Sequence, residues 1–338
     1  MSRITLAAIG RRAGVSTATV SKVLNGRPGV APETRSRVQT MLDAYGYGSR
    51  PGQTVPPRTN LIDVWMIDLA DPWAAEMLGA FARAGRARGV EIVPSLQVTR
   101  EVSDELITRV LARGSRGVLA IFGDLSPAQR GRLAAHRMPC VSVAPGVSSA
   151  PAEPTVDIDF RSGIRAATEH LLDQGHRRIG VILGPRGADY SEQRFQGYRD
   201  ALRGRNIGVQ AGLVRWSWHD PVRAQQAADQ LLDLDDPPTA IVAASDTVAL
   251  GVYRSAAVRS LAIGCDLAVT GFDDRPESRW LRPTLTTVRV RLDHLAAVSI
   301  DLLLGTAANG SVTARVSGEL VVRDSSASSR FGHRRCSH

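Results

Sequence analysis

Apolar residues recur at helical spacing in two short stretches near the N-terminus, residues 6–13 and 17–24. Each stretch would bury one narrow face and leave the opposite face polar. Gly14 lies at a tight turn between the two stretches, and Ser16 can cap the second helix through its hydroxyl. The pattern predicts a helix-turn-helix with buried positions at Leu6, Ile9, Ala13, Val20, Val23 and Leu24.

A third helix is predicted from about Pro32, because proline suits the first helical turn. Its apolar positions, which would close a three-helix core, are Val38, Met41, Leu42 and Tyr45. The next residues contain three prolines and two glycines, a composition that is typical of a linker. The sequence therefore predicts a helical domain at 1–47 and a hinge at 48–60.

Beyond residue 60 the pattern changes to short apolar runs separated by longer stretches of helical period. The runs that predict strands are LIDVWMIDL, VEIVPS, GVLAIF, PCVSV, RIGVIL, TAIVAA and DLAVTGF. The helical stretches include residues 73–88, 164–172 and 223–232. Alternation of strands and helices predicts an α/β fold with parallel sheets covered on both faces.

About 265 residues are many for one such sheet, so we expect two lobes. The first lobe is predicted at 61–160, joined by the returning segment 289–324, and the second at 161–288. The tail, 325–338, is Ser-rich and basic and has no packing pattern. We therefore expect the tail to be disordered.

The charge is unevenly distributed along the chain. The formal net charge is +9. Residues 1–60 carry nine cations against two carboxylates, whereas the remaining residues carry 33 cations against 31 carboxylates. Lys22 is the only lysine of the chain. A compact basic head on a nearly neutral body is typical of a domain that binds nucleic acid.

Other patterns narrow the class of protein. Neither a membrane-length apolar run nor a signal-peptide core is visible, which predicts a cytoplasmic protein. Cys140, Cys265 and Cys336 lie far apart, are odd in number and lack CxxC spacing, which favours a reducing compartment and no zinc site. The sequence contains no GxSxG, HExxH or GK[ST] phosphate loop, so we expect no enzyme, cofactor or metal.

The chain resembles the lactose-repressor/purine-repressor family of bacterial transcription regulators over residues 3–325. In the head the resemblance is carried by Thr5-Leu6, the run AGVS at 13–16, the run TVSKVLN at 19–25, Val30 and Thr34-Arg35. In the body it is carried by DPW at 71–73, EHL at 169–171, GHRRI at 175–179, Arg194, Gly197-Tyr198, Ser245-Asp246, Ala249, Gly251, GFDD at 271–274, Pro283 and LTTV at 285–288. An ordered series of separate motifs is far more specific than a helix-turn-helix alone.

This resemblance implies a repressor that binds a palindromic operator in double-stranded DNA as a homodimer. Each subunit would carry a DNA-binding head, a hinge and a body like the periplasmic sugar-binding proteins. A small effector, a mono- or oligosaccharide, would lie between the lobes and change the affinity for the operator. A sugar-binding protein without a DNA function is the alternative, although such a protein would not need the basic head.

The resemblance also implies which residues of the head contact DNA. Thr17, Ala18 and Lys22 would reach base edges, where lysine can donate to guanine and a methyl group can meet the thymine methyl. The residues implied to contact phosphates are Ser16, Thr19, Ser21, Asn25 and Thr34. The alternative for Thr19 and Ser21 is plain helix surface.

The hinge departs from the family pattern. Most members have an Ala-rich segment there that folds on DNA and inserts a leucine into the minor groove. Here Val55 would take that position, but Pro56 and Pro57 follow it and disfavour a helix. The linker could instead act as an extended spacer.

Ligands of open α/β sheets bind beyond the carboxyl ends of the strands. Several polar and aromatic residues follow predicted strands, and the resemblance implies effector contacts for a subset of them. The predicted effector site comprises Asp71, Trp73, Arg194, Trp218, Ser245, Asp246 and Asp273. Helix capping is the alternative role of Asp246. Asp274 is predicted to be structural, and Trp216 and Trp280 are predicted to pack against other side chains and not to contact the ligand.

Overall fold

The computed structural model describes residues 5–24, 27–45, 59–67, 72–97, 99–144, 154–218, 220–305 and 313–326. The chain divides into two units, residues 1–57 and 58–338. The predicted hinge contacts around Val55 lie outside the described residues, as do Asn25 and Asp71.

The first unit contains the three predicted helices, α1 (Leu6–Ala13), α2 (Thr17–Leu24) and α3 (Pro32–Ala44). Gly14 ends α1 in the left-handed conformation, with φ of 66°. The Ser16 hydroxyl accepts a hydrogen bond from the Thr19 N–H at 3.1 Å and so caps α2, as predicted. The helices enclose a small core of Ile9, Ala13, Val20, Val23, Val38 and Leu42.

Tyr45 differs from the prediction that it completes this core. Its side chain is 38% exposed. The Arg12 guanidinium lies 5.2 Å from the centre of the ring, and an Arg12 nitrogen donates to the Tyr45 hydroxyl. The residue follows the last turn of α3, where an apolar body and a polar tip can remain at the surface.

The second unit has alternating strands and helices. Its strands are β1 (Leu61–Ile67), β2 (Glu91–Gln97), β3 (Gly117–Ile121), β4 (Cys140–Val143), β5 (Thr155–Asp159), β6 (Ile179–Leu183), β7 (Val214–Trp216), β8 (Ala240–Ala243), β9 (Ala268–Asp273), β10 (Thr286–Arg289), β11 (Thr313–Ser317) and β12 (Glu319–Val321). Its helices are α4 (Pro72–Arg86), α5 (Asp104–Arg113), α6 (Pro127–Ala135), α7 (Phe160–Asp173), α8 (Asp189–Arg203), α9 (Pro221–Leu232), α10 (Asp246–Val258) and α11 (Leu292–Gly305).

These strands form two six-stranded sheets. The first lobe has the order β11-β5-β4-β3-β1-β2, and the second has β12-β10-β9-β8-β6-β7. Every pairing is parallel except that of β10 with β12. The predicted α/β class with two parallel-sheet lobes is therefore confirmed.

Helices cover both faces of each sheet, so the inner strands are apolar on both sides. In β1, Trp65 packs in one cluster with residues of α5 and α6. Its neighbours Val64 and Met66 pack in another cluster with residues of α4 and α11. Successive side chains of a strand point to opposite faces, which explains this division.

The predicted lobe boundaries need a correction at the C-terminal end. The segment 289–324 returns to the first lobe through α11 and β11, but β12 pairs with β10 in the second lobe. The change of lobe occurs at Gly318, where an added Cβ would lie 2.4 Å from the Val288 side chain. Only glycine therefore allows the chain to pass this close to β10.

The prediction of a disordered tail is wrong for its first two residues, Ser325 and Ser326. Ser325 is fully buried, and its hydroxyl donates to the Val269 carbonyl at 2.6 Å. The Ser326 hydroxyl lies 2.7 Å from that of Thr286. Both serines fix the chain to the sheet of the second lobe. The remainder of the predicted tail, 327–338, lies outside the described residues.

Candidate functional sites

One face of α2 is exposed because Val20 and Val23 hold the opposite face in the core. Thr17, Ala18 and Lys22 are all exposed on it. Ala18 and Lys22 are one helical turn apart, so both side chains project from the same surface. An exposed helix face that carries small side chains and one cation is suited to enter the major groove.

The described residues that are predicted to contact phosphates lie just before α2, within α2 or in α3. Ser16 is exposed and Thr19 is half-buried, and their hydroxyl oxygens lie 2.9 Å apart. Ser21, on α2, and Thr34, in the first turn of α3, are half-buried. Thr19 is therefore part of the local capping arrangement of α2, and its role is not limited to plain helix surface.

A cavity of about 860 Å³ lies between the two lobes, beyond the carboxyl ends of strands from both sheets. This is the position expected of a ligand site in an open α/β fold. Five of the residues predicted from the sequence line it together: Trp73, Arg194, Trp218, Ser245 and Asp273.

Arg194 is the most unusual residue of the cavity. It is only 4% exposed, and its guanidinium carbon lies 4.2 Å from the ring centre of Phe160 and 5.0 Å from that of Phe272. Burial lowers the pKa of Arg194, while the nearby Asp273 carboxylate opposes this shift. Among the described residues its Nε finds no hydrogen-bond partner. A buried, incompletely paired guanidinium is suited to bind ligand oxygens in pairs.

Asp273 and Ser245 are positioned by the ends of β9 and β8. Asp273 has φ of 115°, a strained value for a residue other than glycine. Ser245 is 3% exposed and caps α10, accepting from the Val248 N–H at 3.3 Å. Both residues therefore present polar atoms that the backbone fixes before any ligand arrives.

Three further aromatic residues line the cavity and were not predicted from the sequence: Phe122, Phe160 and Tyr190. The ring of Phe122 lies 5.5 Å from that of Trp73 in the first lobe and 5.5 Å from that of Tyr190 in the second. These rings give the cavity an apolar wall that reaches across both lobes. Phe122 directly follows β3, a predicted strand, so its position could have revealed it, since ligands bind at the carboxyl ends of strands. Phe160 follows β5, which the apolar runs did not predict, and Tyr190 lies in the first turn of α8.

Asp246 differs from the prediction that it contacts the effector. It does not line the cavity, and it is not the cap of α10. Its carboxylate accepts from the Thr287 hydroxyl at 2.5 Å and from the Arg275 N–H at 2.8 Å. Gly271 makes room for it, because a Cβ there would lie 2.3 Å from an Asp246 oxygen. The residue therefore ties α10 to β9 and β10.

Trp216, Trp280 and Asp274 were predicted to have structural roles. Trp216 packs on Phe195 at 5.8 Å between ring centres, as predicted. Trp280 is 78% exposed, so the prediction that it packs is wrong, although it does not line the cavity either. Asp274 is structural, as predicted, because its buried carboxylate accepts from Arg289 at 2.6 Å and from Arg323.

We expect the free energy of unfolding to decrease as the pH rises from about 4 to about 7, because of Asp246. Burial raises the pKa of Asp246 to about 7, so over this range the folded state retains a proton that the unfolded state has lost. Asp246→Asn stays neutral and should flatten this part of the profile. Urea unfolding at pH 5 and pH 8 measures the difference. An equally steep profile in the variant would contradict the assignment.

Two general properties of the described residues bear on the class of protein. Within them no group of histidine, cysteine, aspartate and glutamate side chains is arranged to hold a metal ion. None of the described helices has both the length and the apolar character that crossing a membrane requires.

Known proteins resemble the chain in both units. Residues 5–49 match the model of bacterial regulatory proteins of the lacI family, and residues 168–326 match a periplasmic binding protein-like domain. The HTH-type transcriptional regulator MalR of Streptomyces coelicolor is 35% identical over 96% of this chain and 96% of its own length. Catabolite control protein A of Priestia megaterium is 28% identical over 89% of this chain and 91% of its own.

Solved structures show the same similarity. The complex of the transcriptional regulator CelR with cellobiose has a TM-score of 0.71 at 26% identity. The lac repressor dimer bound to operator and the anti-inducer ONPF has a TM-score of 0.69 at 26% identity. Each comparison covers 96% of this chain and 100% of the other.

Proposed function

Because the chain belongs to the LacI family of bacterial regulatory proteins and is a DNA-binding transcriptional regulator, we propose that it is a repressor controlled by a sugar. It binds a palindromic operator as a homodimer, and the sugar binds in the cavity between the lobes. The observation that carries the proposal is the exposed surface of α2, formed by Thr17, Ala18 and Lys22. The similarity to an operator-bound repressor dimer over nearly the whole chain supports it.

A single head of this size reads too few base pairs to select one site in a genome. Two heads related by a two-fold axis read an inverted repeat whose half-sites are about 34 Å apart. Lys22 donates to guanine, and the methyl groups of Thr17 and Ala18 contact thymine methyl groups. Ser16, Thr19, Ser21, Asn25 and Thr34 contact phosphates and set the position of the head.

Exposed apolar side chains of the second lobe support the homodimer. Trp280 is 78% exposed, and Val258, at the end of α10, is 62% exposed. The Tyr253 hydroxyl donates to the Pro283 carbonyl at 2.8 Å, so α10 lies beside the segment that carries Trp280. Large exposed apolar residues are typical of surfaces that a partner covers.

The mechanism is a shift between two arrangements of the lobes. A sugar held by Arg194 and Asp273 favours one closure angle, which alters how the subunits meet and so the spacing of the heads. The sugar must bind the two arrangements with affinities that differ by about 1–3 kcal/mol. The CelR neighbour was solved with cellobiose, which supports a sugar as the effector.

We expect Lys22→Ala to weaken operator binding by roughly 1–3 kcal/mol and to relax the preference at one base pair in each half-site. Fluorescence anisotropy on an operator selected from random duplexes, and on its single mismatches, measures both effects. Equal losses on every sequence would show that Lys22 contacts only phosphate. The affinity of the unaltered protein should fall steeply with salt.

The same titration tests the alternative, a sugar-binding protein without a DNA function. Such a protein would retain no duplex even at low salt. Selected duplexes that show no inverted repeat would contradict the homodimer with two-fold symmetry.

A further inference from the structure

The cavity between the lobes extends beyond the residues assigned to the effector. On the side of the first lobe it is also lined by four charged side chains that were not predicted from the sequence: Arg100, Glu101, Asp124 and Arg130. These follow β2 and β3 or lie in α6. The cavity therefore has a second polar region in addition to that around Arg194.

The order of strands in the first lobe separates the two regions. Phe160, which contacts the Arg194 guanidinium, directly follows β5, whereas Arg100 and Glu101 follow β2. Four strand spacings separate β5 from β2 in the sheet, and two separate β5 from β3, which Asp124 follows. At about 4.8 Å for each spacing, these amount to roughly 19 Å to Arg100 and Glu101 and roughly 10 Å to Asp124. One hexose ring is much shorter than the larger of these distances.

Contacts across the cavity show that the strands of the second lobe are arranged in the same direction as those of the first, from β9 and β5 at one end towards β6 and β3. Phe160, after β5, lies 5.7 Å from Phe272 of β9, and Phe122, after β3, lies 5.5 Å from Tyr190, after β6. At the end of this series, β2 is the edge strand of the first sheet and corresponds to β7, the edge strand of the second sheet. Trp218 follows β7 and lines the cavity. The tryptophan and the second polar region therefore belong to the same end.

This end of the cavity is already assembled in the first lobe. The Asp124 N–H donates to the Arg100 carbonyl at 2.7 Å, and the Val102 N–H donates to the Asp124 carbonyl at 3.2 Å. The Arg100 Nε also contacts the Asp124 carboxylate at 3.2 Å. The loops after β2 and β3 thus form one unit that presents several charged groups.

Trp218 adds an exposed aromatic face to these charged groups. Its side chain is 57% exposed, and the Arg223 guanidinium lies 5.6 Å from its ring centre. An exposed aromatic face beside carboxylates and guanidinium groups is suited to a sugar ring, whose C–H face stacks and whose hydroxyls form hydrogen bonds. The volume of about 860 Å³ is near the upper end of the usual range for small-molecule sites, about 300–1,000 Å³.

We propose that the effector is a linear oligosaccharide of two or three hexose rings. Its first ring binds at Arg194 and Asp273, and its last ring stacks on Trp218 and bonds to the region of Arg100 and Asp124. This inference rests on the proposed function, because it names the ligand class of the same cavity. It assigns to Trp218 the selection of chain length.

The test is calorimetric titration of the full-length protein with glucose, maltose and maltotriose, and with cellobiose and cellotriose. We expect the affinity to rise about tenfold or more from glucose to the trisaccharide of one series. Trp218→Ala should reduce the ratio of trisaccharide to glucose affinity about tenfold, and Trp218→Phe should retain most of it, since the aromatic face is kept.

Three outcomes would overturn the inference: glucose that binds as tightly as the trisaccharides, an unchanged affinity ratio in Trp218→Ala, or no binding of any of these sugars. Operator binding, measured on the same preparation, separates this failure from that of the proposed function. If operator binding is retained, the proposed DNA-binding function stands and only the proposal of an oligosaccharide effector fails.

Discussion

Arg194→Ala is expected to abolish the response to the effector while operator binding persists. The guanidinium is buried among aromatic rings, and its Nε has no hydrogen-bond partner in the described part of the chain. Removing the group takes away a fork of donors that no neighbouring side chain replaces. Arg194 lies outside the compact unit that contains α1, α2 and α3, so we expect the substitution to leave the fold of that unit unchanged. Operator release on addition of sugar, followed by fluorescence anisotropy, measures the response.

Arg199→Ala is the matched control, because Arg199 lies in the same helix, α8, and is exposed. It should respond to sugar like the unaltered protein. Arg194→Lys keeps the charge without the planar fork, and we expect it to restore little of the response. An Arg194→Ala protein that still releases DNA on addition of sugar would show that the assignment of the effector to Arg194 and its cavity is wrong.

Gly197→Ala is expected to destabilise the second lobe by about 3 kcal/mol. An added Cβ at this position would lie 2.2 Å from the Arg161 carbonyl oxygen and 3.0 Å from the Arg165 nitrogen. Both atoms belong to the backbone of α7, so no side-chain rotation can relieve the overlap. We expect the melting temperature to fall by roughly 5–10 °C, measured by circular dichroism.

Gly131→Ala provides the control for this substitution. Gly131 also lies inside a helix, α6, but an added Cβ there meets nothing within 4 Å. Alanine should leave the stability unchanged or raise it by about 0.5–1 kcal/mol, because it favours the helix. If both variants melt at the same temperature, close packing of α7 and α8 is not what requires Gly197.

Apolar runs predicted most of the interior strands of both sheets, because a strand that is covered on both faces is largely apolar. β5 was missed, since its sequence TVDID alternates with carboxylates. The pKa of Asp157 is raised by burial, and its carboxylate accepts from the Ile158 N–H at 2.9 Å. β7 and β12 are three residues long, and most of β11 is solvent-accessible, so none of them presents a run of apolar residues.

The candidate effector site was predictable in part for a related reason. Polar residues at or just after strand ends, such as Asp273 and Ser245, can be identified without coordinates. Whether a side chain faces the cavity depends on the hydrogen bonds around it, as Asp246 shows: its carboxylate is used between Thr287 and Arg275. The second polar region, with Arg100 and Asp124, depends on the position of β2 at the sheet edge, which the sequence does not specify.

The return of the chain to the second lobe at Gly318 has a consequence for dissecting the molecule. A contiguous fragment of residues 160–289 would lack β12 and the buried Ser325, and would therefore expose one side of β10. An unpaired strand edge invites association with other chains. The second lobe can be produced alone only as a rearranged gene in which residues 319–326 are joined to 160–289 by a new connection.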